Sequence, residues 1–177
     1  MQSMGFGIDQ RTACPLPSGA LGWWYRASCF AYCVAGALLL ARTEPVRRHM
    51  PVFPWEAIGA SVMVQGVLSY MGDVATWEEE SVWKRADVFL ASVNTCLQAV
   101  IIALSMAGYS TFPLSAMATL TAGLVLSLFA RVQARQAVRR GDMRDFFVWH
   151  GWWHVLLPSG AIAAQLLCPD ERQPSCS

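Results

Sequence analysis

Charged residues are scarce in this chain. Only 14% of its 177 residues are Asp, Glu, Lys or Arg, whereas soluble globular domains carry about a quarter. The formal net charge is +1, and no array of basic residues is interleaved with aromatic ones, which excludes a typical nucleic-acid-binding surface. No segment shows the period-two alternation of apolar and polar residues that a membrane β-barrel needs. These absences favour a helical membrane protein of one domain.

The six cysteines form no CxxC pair, which argues against a zinc knuckle or a thioredoxin-like site. Three of them lie in apolar segments, where a thiol usually behaves as a small hydrophobe, and three flank those segments. The first group is Cys29, Cys33 and Cys96, and the second is Cys14, Cys168 and Cys176. The second group could form a disulfide bridge, and the sequence leaves that question open.

The chain is rich in long apolar segments. A membrane helix needs about 20 mainly apolar residues. The candidate segments are residues 21–41, 54–72, 84–107, 113–131 and 146–167. No cationic stretch of the kind that opens a signal peptide precedes the first, so we expect it to remain in the membrane. The sequence therefore predicts an all-α fold, a multi-pass transmembrane helical bundle of about five spans over residues 21–167, with loose tails at 1–20 and 168–177.

The distribution of Lys and Arg predicts an orientation. If five spans alternate in direction, the N-terminus, the loop after the second span and the loop before the fifth lie on one face. The basic residues of that face are Arg11, Lys84, Arg85, Arg131, Arg135, Arg139, Arg140 and Arg144, and those of the other face are Arg42, Arg47, Arg48 and Arg172. The positive-inside rule places the first, more basic face in the cytoplasm, although three of the other four arginines form a compact contrary cluster.

Polar residues interrupt three of the apolar segments at spacings that keep them on one helix face. They are Gln65, Ser69 and Asp73 in the second segment and just after it, Asp87, Asn94 and Gln98 in the third, and His150 and His154 in the fifth. The second segment ends at the membrane face where the third and fifth begin, so the carboxylates and imidazoles lie at similar depth. Ionisable side chains in a bilayer are costly unless they pair or bind an ion. We therefore expect these groups to converge inside the bundle.

Two imidazoles one helical turn apart can hold the same metal ion. His150 and His154 supply two ligands and Asp73 a third, which leaves a fourth position for water, as in catalytic zinc sites. Zinc lowers the pKa of that water towards neutral. Asp87 then orients the site or acts as a general base, and Ser69 donates a hydrogen bond to a developing oxyanion. Two histidines and one carboxylate are also a set that binds non-haem iron.

Each of these residues also has a purely structural explanation. An HxxxH pair on an apolar helix can bond to the backbone or to its neighbours, and Asp73 can simply end its helix at the membrane surface. Asp87 can favour the start of the third helix through the helix dipole. Gln65, Asn94 and Gln98 can serve as interhelical hydrogen-bonding groups alone. The presence of Asp73 and Asp87 at the depth of the histidines favours metal binding over these explanations.

The order and placement of these residues resemble the CREST superfamily of multi-pass membrane hydrolases, which includes alkaline ceramidases, progestin and adipoQ receptors, GPI-anchor remodelling proteins and myomaker-like proteins. That family has a Ser and a His four residues apart late in one helix, an Asp early in the next, and HxxxH early in the last. The matches here are Ser69 in SYMGD, Asp87 in KRADVF, and the histidines of HGWWH, His150 and His154. The resemblance covers residues 54–167 and implies zinc ligation by the histidines and site-supporting roles for Ser69 and Asp87. Asp73 stands where the better-known members have His, and the family core has seven spans rather than five.

The residues and the resemblance together predict a zinc-dependent hydrolase in the membrane that cleaves an amide or ester of a lipid, with metal-bound water attacking the carbonyl. Its partners are then membrane lipids and a lipid substrate, with no nucleic acid. One alternative is a non-catalytic membrane receptor or scaffold with a structural metal site, whose core should be filled, without a lateral opening or cavity beside the metal. The others are a small subunit that contacts other membrane proteins, and an oxygen-activating iron protein. Haem held by both histidines is disfavoured because they leave the same helix face.

Overall fold

The computed structural model describes residues 14–77 and 81–169, and every regular element in these two ranges is helical. In chain order the elements are α1 (Gly19–Ser28), α2 (Ala31–Ala41), α3 (Thr43–His49), α4 (Trp55–Tyr70), a π-helical turn (Met71–Ala75), α5 (Val82–Met106), α6 (Leu114–Arg140) and α7 (Met143–Leu166). The predicted all-α class is confirmed. Most of the two predicted tails, including Arg11, Arg172 and Cys176, lies outside the described residues, as do residues 78–80.

Three of the described helical stretches are long and apolar enough to cross a membrane. They are Gly19–Ala41, Val82–Met106 and Leu114–Arg140. These stretches coincide with the first, third and fourth predicted segments, and they are consistent with an integral membrane protein. The second predicted segment corresponds to α4, whose 16 residues are fewer than the roughly 20 that a span needs. The count of five spans stays a prediction.

The outward faces of α5 and α6 carry large apolar side chains that the bundle does not cover. Val88, Phe89, Leu114, Val125 and Phe129 are each more than half exposed. Soluble monomers rarely expose apolar patches of more than a few hundred Å². Such faces are stable against lipid chains, which agrees with insertion of these two helices in a membrane.

The end of the bundle opposite the histidines is closed by contacts between distant parts of the chain. His49, at the end of α3, bonds to Thr111 in the α5–α6 loop through its ring Nδ1 and through its main-chain carbonyl, each at 3.0 Å. Arg42 donates to the main-chain carbonyls of Gln165 and Cys168 at the end of α7, at 3.3 and 2.9 Å. The ends of α2, α5 and α7 therefore meet at this end of the bundle.

The two described flanking cysteines do not form a bridge, because Cys14 and Cys168 both carry free thiols. Burial raises the pKa of the Cys168 thiol to about 11, although the neighbouring Arg42 lowers it. The thiol donates a weak hydrogen bond to the main-chain carbonyl of Ala164 at 3.3 Å. Cys168 is therefore a protonated residue of the core at neutral pH and not a reactive thiolate.

Helices α6 and α7 form the most extensive helix–helix contact of the described bundle. Gly141 adopts a left-handed conformation with φ of 74° and ends α6, and Asp142 caps α7 by accepting a hydrogen bond from the main-chain N–H of Asp145 at 3.0 Å. Nearer the middle, a Cβ on Gly123 would lie 2.7 Å from the Cα of Gly160. Close backbone approach at small residues is typical of helix pairs in membranes. This hairpin sets the position of α7, which carries both histidines.

Replacing Gly123 by Leu is expected to lower the free energy of unfolding by about 1–3 kcal/mol or more, because the side chain has no room against the α7 backbone. The measurement is thermal or SDS-induced unfolding of the purified protein in mild detergent. Ala122→Leu adds similar bulk on the exposed side of the same helix and should change stability little. Equal stability of the two variants would contradict the close contact of α6 and α7.

Candidate metal centre

Asp73 lies in the π-helical turn that follows α4, and it is 3% exposed. The turn is marked by a hydrogen bond from the main-chain N–H of Thr76 to the carbonyl of Met71, five residues earlier, at 3.0 Å. A π-helical turn holds more residues than an α-helical one, so Asp73 is turned away from a straight i, i+4, i+8 stripe. As a result Asp73 contacts α7, whereas Gln65 and Ser69 contact α5. The predicted polar stripe is divided between two neighbouring helices.

The two histidines of α7 converge on the carboxylate of Asp73. The Nε2 atom of His150 lies 2.9 Å, and that of His154 3.3 Å, from the same Oδ2 atom. Ligand atoms of the three side chains all lie within 4.8 Å of one another, so the group could hold a metal ion. His154 is buried, and His150 is partly buried between the rings of Tyr25 and Phe146, with centroids 5.9 and 5.0 Å away. The predicted convergence of Asp73 with the histidines is confirmed.

The spacing of these atoms suits a tetrahedral metal ion. Zinc binds nitrogen and oxygen ligands at about 2.0–2.2 Å, which places two ligand atoms of a tetrahedral site roughly 3.3–3.6 Å apart. The separations of 2.9 and 3.3 Å between Asp73 and the two histidines are close to that range. Three protein ligands leave a fourth position open, as in catalytic zinc sites. The donor set present here could therefore hold a metal ion.

The second ring nitrogen of His154 has no ordinary hydrogen-bond partner. Its Nδ1 atom is buried, and no polar atom of the described residues bonds to it. The buried thiol of Cys29 interacts with the His154 ring, but it donates its own weak hydrogen bond to the main-chain carbonyl of Tyr25 at 3.7 Å. A metal-ligating histidine usually donates its other N–H to an acceptor. The Cys29 sulfur, a weak acceptor, is a neighbour that the sequence did not indicate.

Asp87 is held by a second buried cluster. The hydroxyl of Ser69 donates to Oδ1 of Asp87 at 2.5 Å, and the amide of Gln65 donates to the same oxygen at 2.6 Å. The Gln65 amide also donates to Ser69 Oγ at 3.2 Å and to the main-chain carbonyl of Asp87 at 3.3 Å. No hydrogen bond found among the described residues uses Oδ2 of Asp87. The Ser69 proton points at Asp87 in this arrangement, so its predicted donation to an oxyanion requires that bond to break.

Asp87 and the Asp73 group share one polar interior. Asp87 interacts electrostatically with both Asp73 and His154, and it is 8% exposed. Helix α5 begins at Val82, so Asp87 lies beyond the first helical turn, where the helix dipole acts most strongly. The helix-dipole explanation therefore does not account for Asp87.

Two further polar side chains reach this interior. Tyr32 of α2 is 3% exposed and packs its ring edge-on against His154, with centroids 6.0 Å apart. Arg131 is partly buried, and its guanidinium lies 4.9 Å from the centre of the Trp153 ring. Arg131 is one of the basic residues counted for the more basic face, and α6 continues past it to Arg140. The only sequence feature that indicates a role for Arg131 is its place at the end of an apolar segment. Nothing in the sequence indicates that Tyr32 reaches the polar interior.

Further along α5, the polar residues bond to neighbouring helices. Asn94 accepts a hydrogen bond from Ser61 of α4 at 3.0 Å, and Gln98 donates to the main-chain carbonyl of Leu120 in α6 at 3.1 Å. The predicted interhelical bonding of Asn94 and Gln98 is confirmed. Both residues also line a mainly apolar, partly open cavity of about 100 Å³, whose other lining residues come mostly from α2, α4, α5, α6 and α7. Asn94 lies about 10 Å along the helix from Asp87, so the cavity begins two helical turns from that carboxylate.

Replacing Gln65 by Leu is expected to destabilise the protein by about 1–3 kcal/mol, because the buried Asp87 carboxylate loses one of its two side-chain donors. Unfolding in mild detergent on addition of SDS measures the change. Gln136→Leu, on the exposed side of α6, is the matched control. If the Gln65 variant proved as stable as the control, the described anchoring of Asp87 would be incorrect.

Comparison with models of known protein families, with curated proteins and with solved structures finds no match to this chain. The chemistry of the centre therefore rests on its own residues. They are two imidazoles and one carboxylate that converge on a common point, with a second buried carboxylate held beside them.

Proposed function

We propose that this chain is an integral membrane hydrolase that cleaves an amide or ester bond of a lipid with a bound zinc ion. The observation that carries the proposal is the convergence of Asp73, His150 and His154 beside a second buried carboxylate, that of Asp87. One carboxylate with two imidazoles suits a metal ion. A second carboxylate, held by neutral donors and outside the metal-binding group, suits proton transfer.

The metal would be held by Oδ2 of Asp73 and by the Nε2 atoms of His150 and His154. Zinc in such a site supplies a water of lowered pKa and polarises a carbonyl group. Zinc also accepts a carboxylate oxygen as a ligand. Iron is the second candidate, because two histidines and one carboxylate also bind non-haem iron. The remaining histidine of the chain, His49, bonds to Thr111 at the opposite end of the bundle and offers no further ligand.

Asp87 is the group that we assign to proton transfer. Ser69 and Gln65 fix its Oδ1 atom, so the other oxygen keeps one orientation. As the water oxygen bonds to the acyl carbon, one water proton passes to Oδ2 of Asp87. That proton then moves to the nitrogen or oxygen of the leaving group as its bond to the acyl carbon breaks. One water is consumed, and a carboxylic acid and an amine or alcohol are released.

A lipid substrate is favoured by the surroundings of the centre. Three helical stretches are apolar enough to cross a membrane, and the outer faces of α5 and α6 are suited to lipid contact. The cavity along α5, about 10 Å from Asp87, has a mainly apolar lining. An acyl chain is the part of a lipid that such a lining suits.

We assign five membrane passes to the chain. Helix α4 together with its π-helical turn, and helix α7, complete the set begun by the three long apolar stretches. Lys84 near the start of α5 and Arg139 and Arg140 at the end of α6 lie at the end of the bundle that holds the histidines. The positive-inside rule then directs this end to the cytoplasm.

The resemblance to the CREST superfamily supports the same activity. Ser69, Asp87 and the two histidines of HGWWH occur in the order of that family, and these side chains lie in one polar interior. Asp73 replaces the histidine of the better-known members and is within 3.3 Å of both imidazoles. We propose a member of reduced span number that uses a carboxylate as its third ligand.

Zinc content is the first expectation to test. Wild-type protein purified in mild detergent without chelator should contain about one zinc ion per chain by elemental analysis, since one three-ligand group is present. A His150→Ala/His154→Ala variant should contain none, and His49→Ala should keep the metal. Iron in place of zinc would favour oxygen chemistry. Folded wild-type protein without any metal would overturn the proposal.

Asp87→Asn separates proton transfer from metal binding. The variant should keep its metal, because Asp87 is not in the ligand group, while hydrolysis of a fluorogenic lipid ester or amide falls about 10²–10⁴-fold. Asp145→Asn, at a partly exposed carboxylate near the start of α7, should retain both metal and activity. Loss of the metal from Asp87→Asn, or full activity in it, would contradict the role assigned to Asp87.

A further inference from the structure

Arg131 brings a positive charge to the polar interior without an ion-pair partner among the described residues. Its guanidinium lies over the Trp153 ring at 4.9 Å and interacts electrostatically with Asp87 and Tyr32. No carboxylate of the described residues lies within 4.0 Å of it, and no hydrogen bond to it is found there. A guanidinium has five N–H donors in a planar fork that suits carboxylates and phosphates. The Trp153 ring orients the guanidinium through a cation–π contact, but an aromatic ring is not an ordinary acceptor for its N–H groups.

Tyr32 provides an unused donor in the same interior. Its hydroxyl is buried and has no hydrogen-bond partner among the described residues. The Tyr32 ring packs on His154, and the hydroxyl interacts electrostatically with both Asp87 and Arg131. A buried hydroxyl without a partner costs free energy, which is recovered when a ligand bonds to it. Two unused donors, from α2 and α6, thus share the polar interior with His154 and Asp87.

The charges of the interior favour an anion once the metal is bound. The carboxylates of Asp73 and Asp87 and the guanidinium of Arg131 together carry one net negative charge when the histidines are neutral. A divalent cation changes this to one net positive charge. In a medium of low dielectric constant, an uncompensated charge is costly and attracts an opposite one.

We infer that the lipid bound at this centre carries an anionic group, a phosphate or a carboxylate, and that Arg131 and Tyr32 receive it. This inference rests on the proposed function, because it names the class of lipid that the proposed hydrolase takes. The anionic group accepts hydrogen bonds from the Arg131 guanidinium and from the Tyr32 hydroxyl. Arg131 and Tyr32 select the lipid, and the proton transfer stays with Asp87. Lipids with uncharged headgroups are the poorer ligands.

Binding of single-chain probes tests this selectivity apart from catalysis. Metal-loaded wild-type protein in a non-ionic detergent is titrated with dodecyl phosphate, dodecanoate and dodecanol, and binding is followed by calorimetry. At least one of the two anions should bind about tenfold more tightly than the alcohol, as a charge-assisted hydrogen bond would provide. Comparison of dodecyl phosphate with dodecanoate shows which anion the centre prefers.

Variants on α6 and α2 locate the binding. Arg131→Gln should abolish the preference for the anion, Arg131→Lys should restore part of it, and Tyr32→Phe should reduce it severalfold. Arg139→Gln, which removes an exposed arginine of the same helix, should leave the preference unchanged. Equal affinity for the alcohol and both anions would overturn the inference, as would an anion preference that survives in Arg131→Gln or disappears in Arg139→Gln.

The same titration distinguishes this inference from the proposed function. Protein that binds zinc and hydrolyses lipids but shows no Arg131-dependent preference refutes the anionic ligand alone. Protein that binds no metal refutes the hydrolase, and an Arg131-dependent anion preference in that protein supports Arg131 and Tyr32 as the receiving groups without a contribution from a metal's charge.

Discussion

The burial of the Asp73 carboxylate is the constraint on which the rest of the structure depends. An isolated carboxylate in an apolar interior costs several kcal/mol or more, unless partners compensate its charge. Here two imidazoles of α7 approach a single oxygen of Asp73, at 2.9 and 3.3 Å. The π-helical turn, the short connection between α6 and α7, and the contact of Gly123 with Gly160 all serve to hold α7 at this distance from the end of α4.

Two carboxylates in the same interior have different surroundings, and this difference supports different roles. Asp73 lies beside two imidazole nitrogens, and one carboxylate with two imidazoles is a combination that can bind a metal ion. Asp87 accepts hydrogen bonds from Ser69 and Gln65, which are neutral donors and fix one of its oxygens. Paired carboxylates whose environments differ in this way are typical of sites where one group holds charge and the other moves a proton. Arg131 then supplies the positive charge that the interior otherwise lacks.

The apolar helices surround this polar centre. The outer faces of α5 and α6 are covered with exposed apolar side chains, while the inner face of α5 carries Asp87, Asn94 and Gln98 in sequence. One helix thus carries both the Asp87 carboxylate and part of the lining of a mainly apolar cavity, about 10 Å away along its axis. A lipid has the same two-part character, with a polar region that carries the labile bond and an apolar chain.

The sequence alone determined the helical class, three helical stretches apolar enough to cross a membrane, and the grouping of Asp73 with His150 and His154. These features depend on local periodicity: apolar length predicts a span, and an i, i+4 spacing predicts that His150 and His154 share a face. Tertiary structure decided which groups each side chain meets. The π-helical turn directs Asp73 to α7, the Ser69 hydroxyl bonds to Asp87, and Arg131 lies within the bundle. None of these contacts follows from periodicity, because each depends on how helices distant in the chain pack against one another.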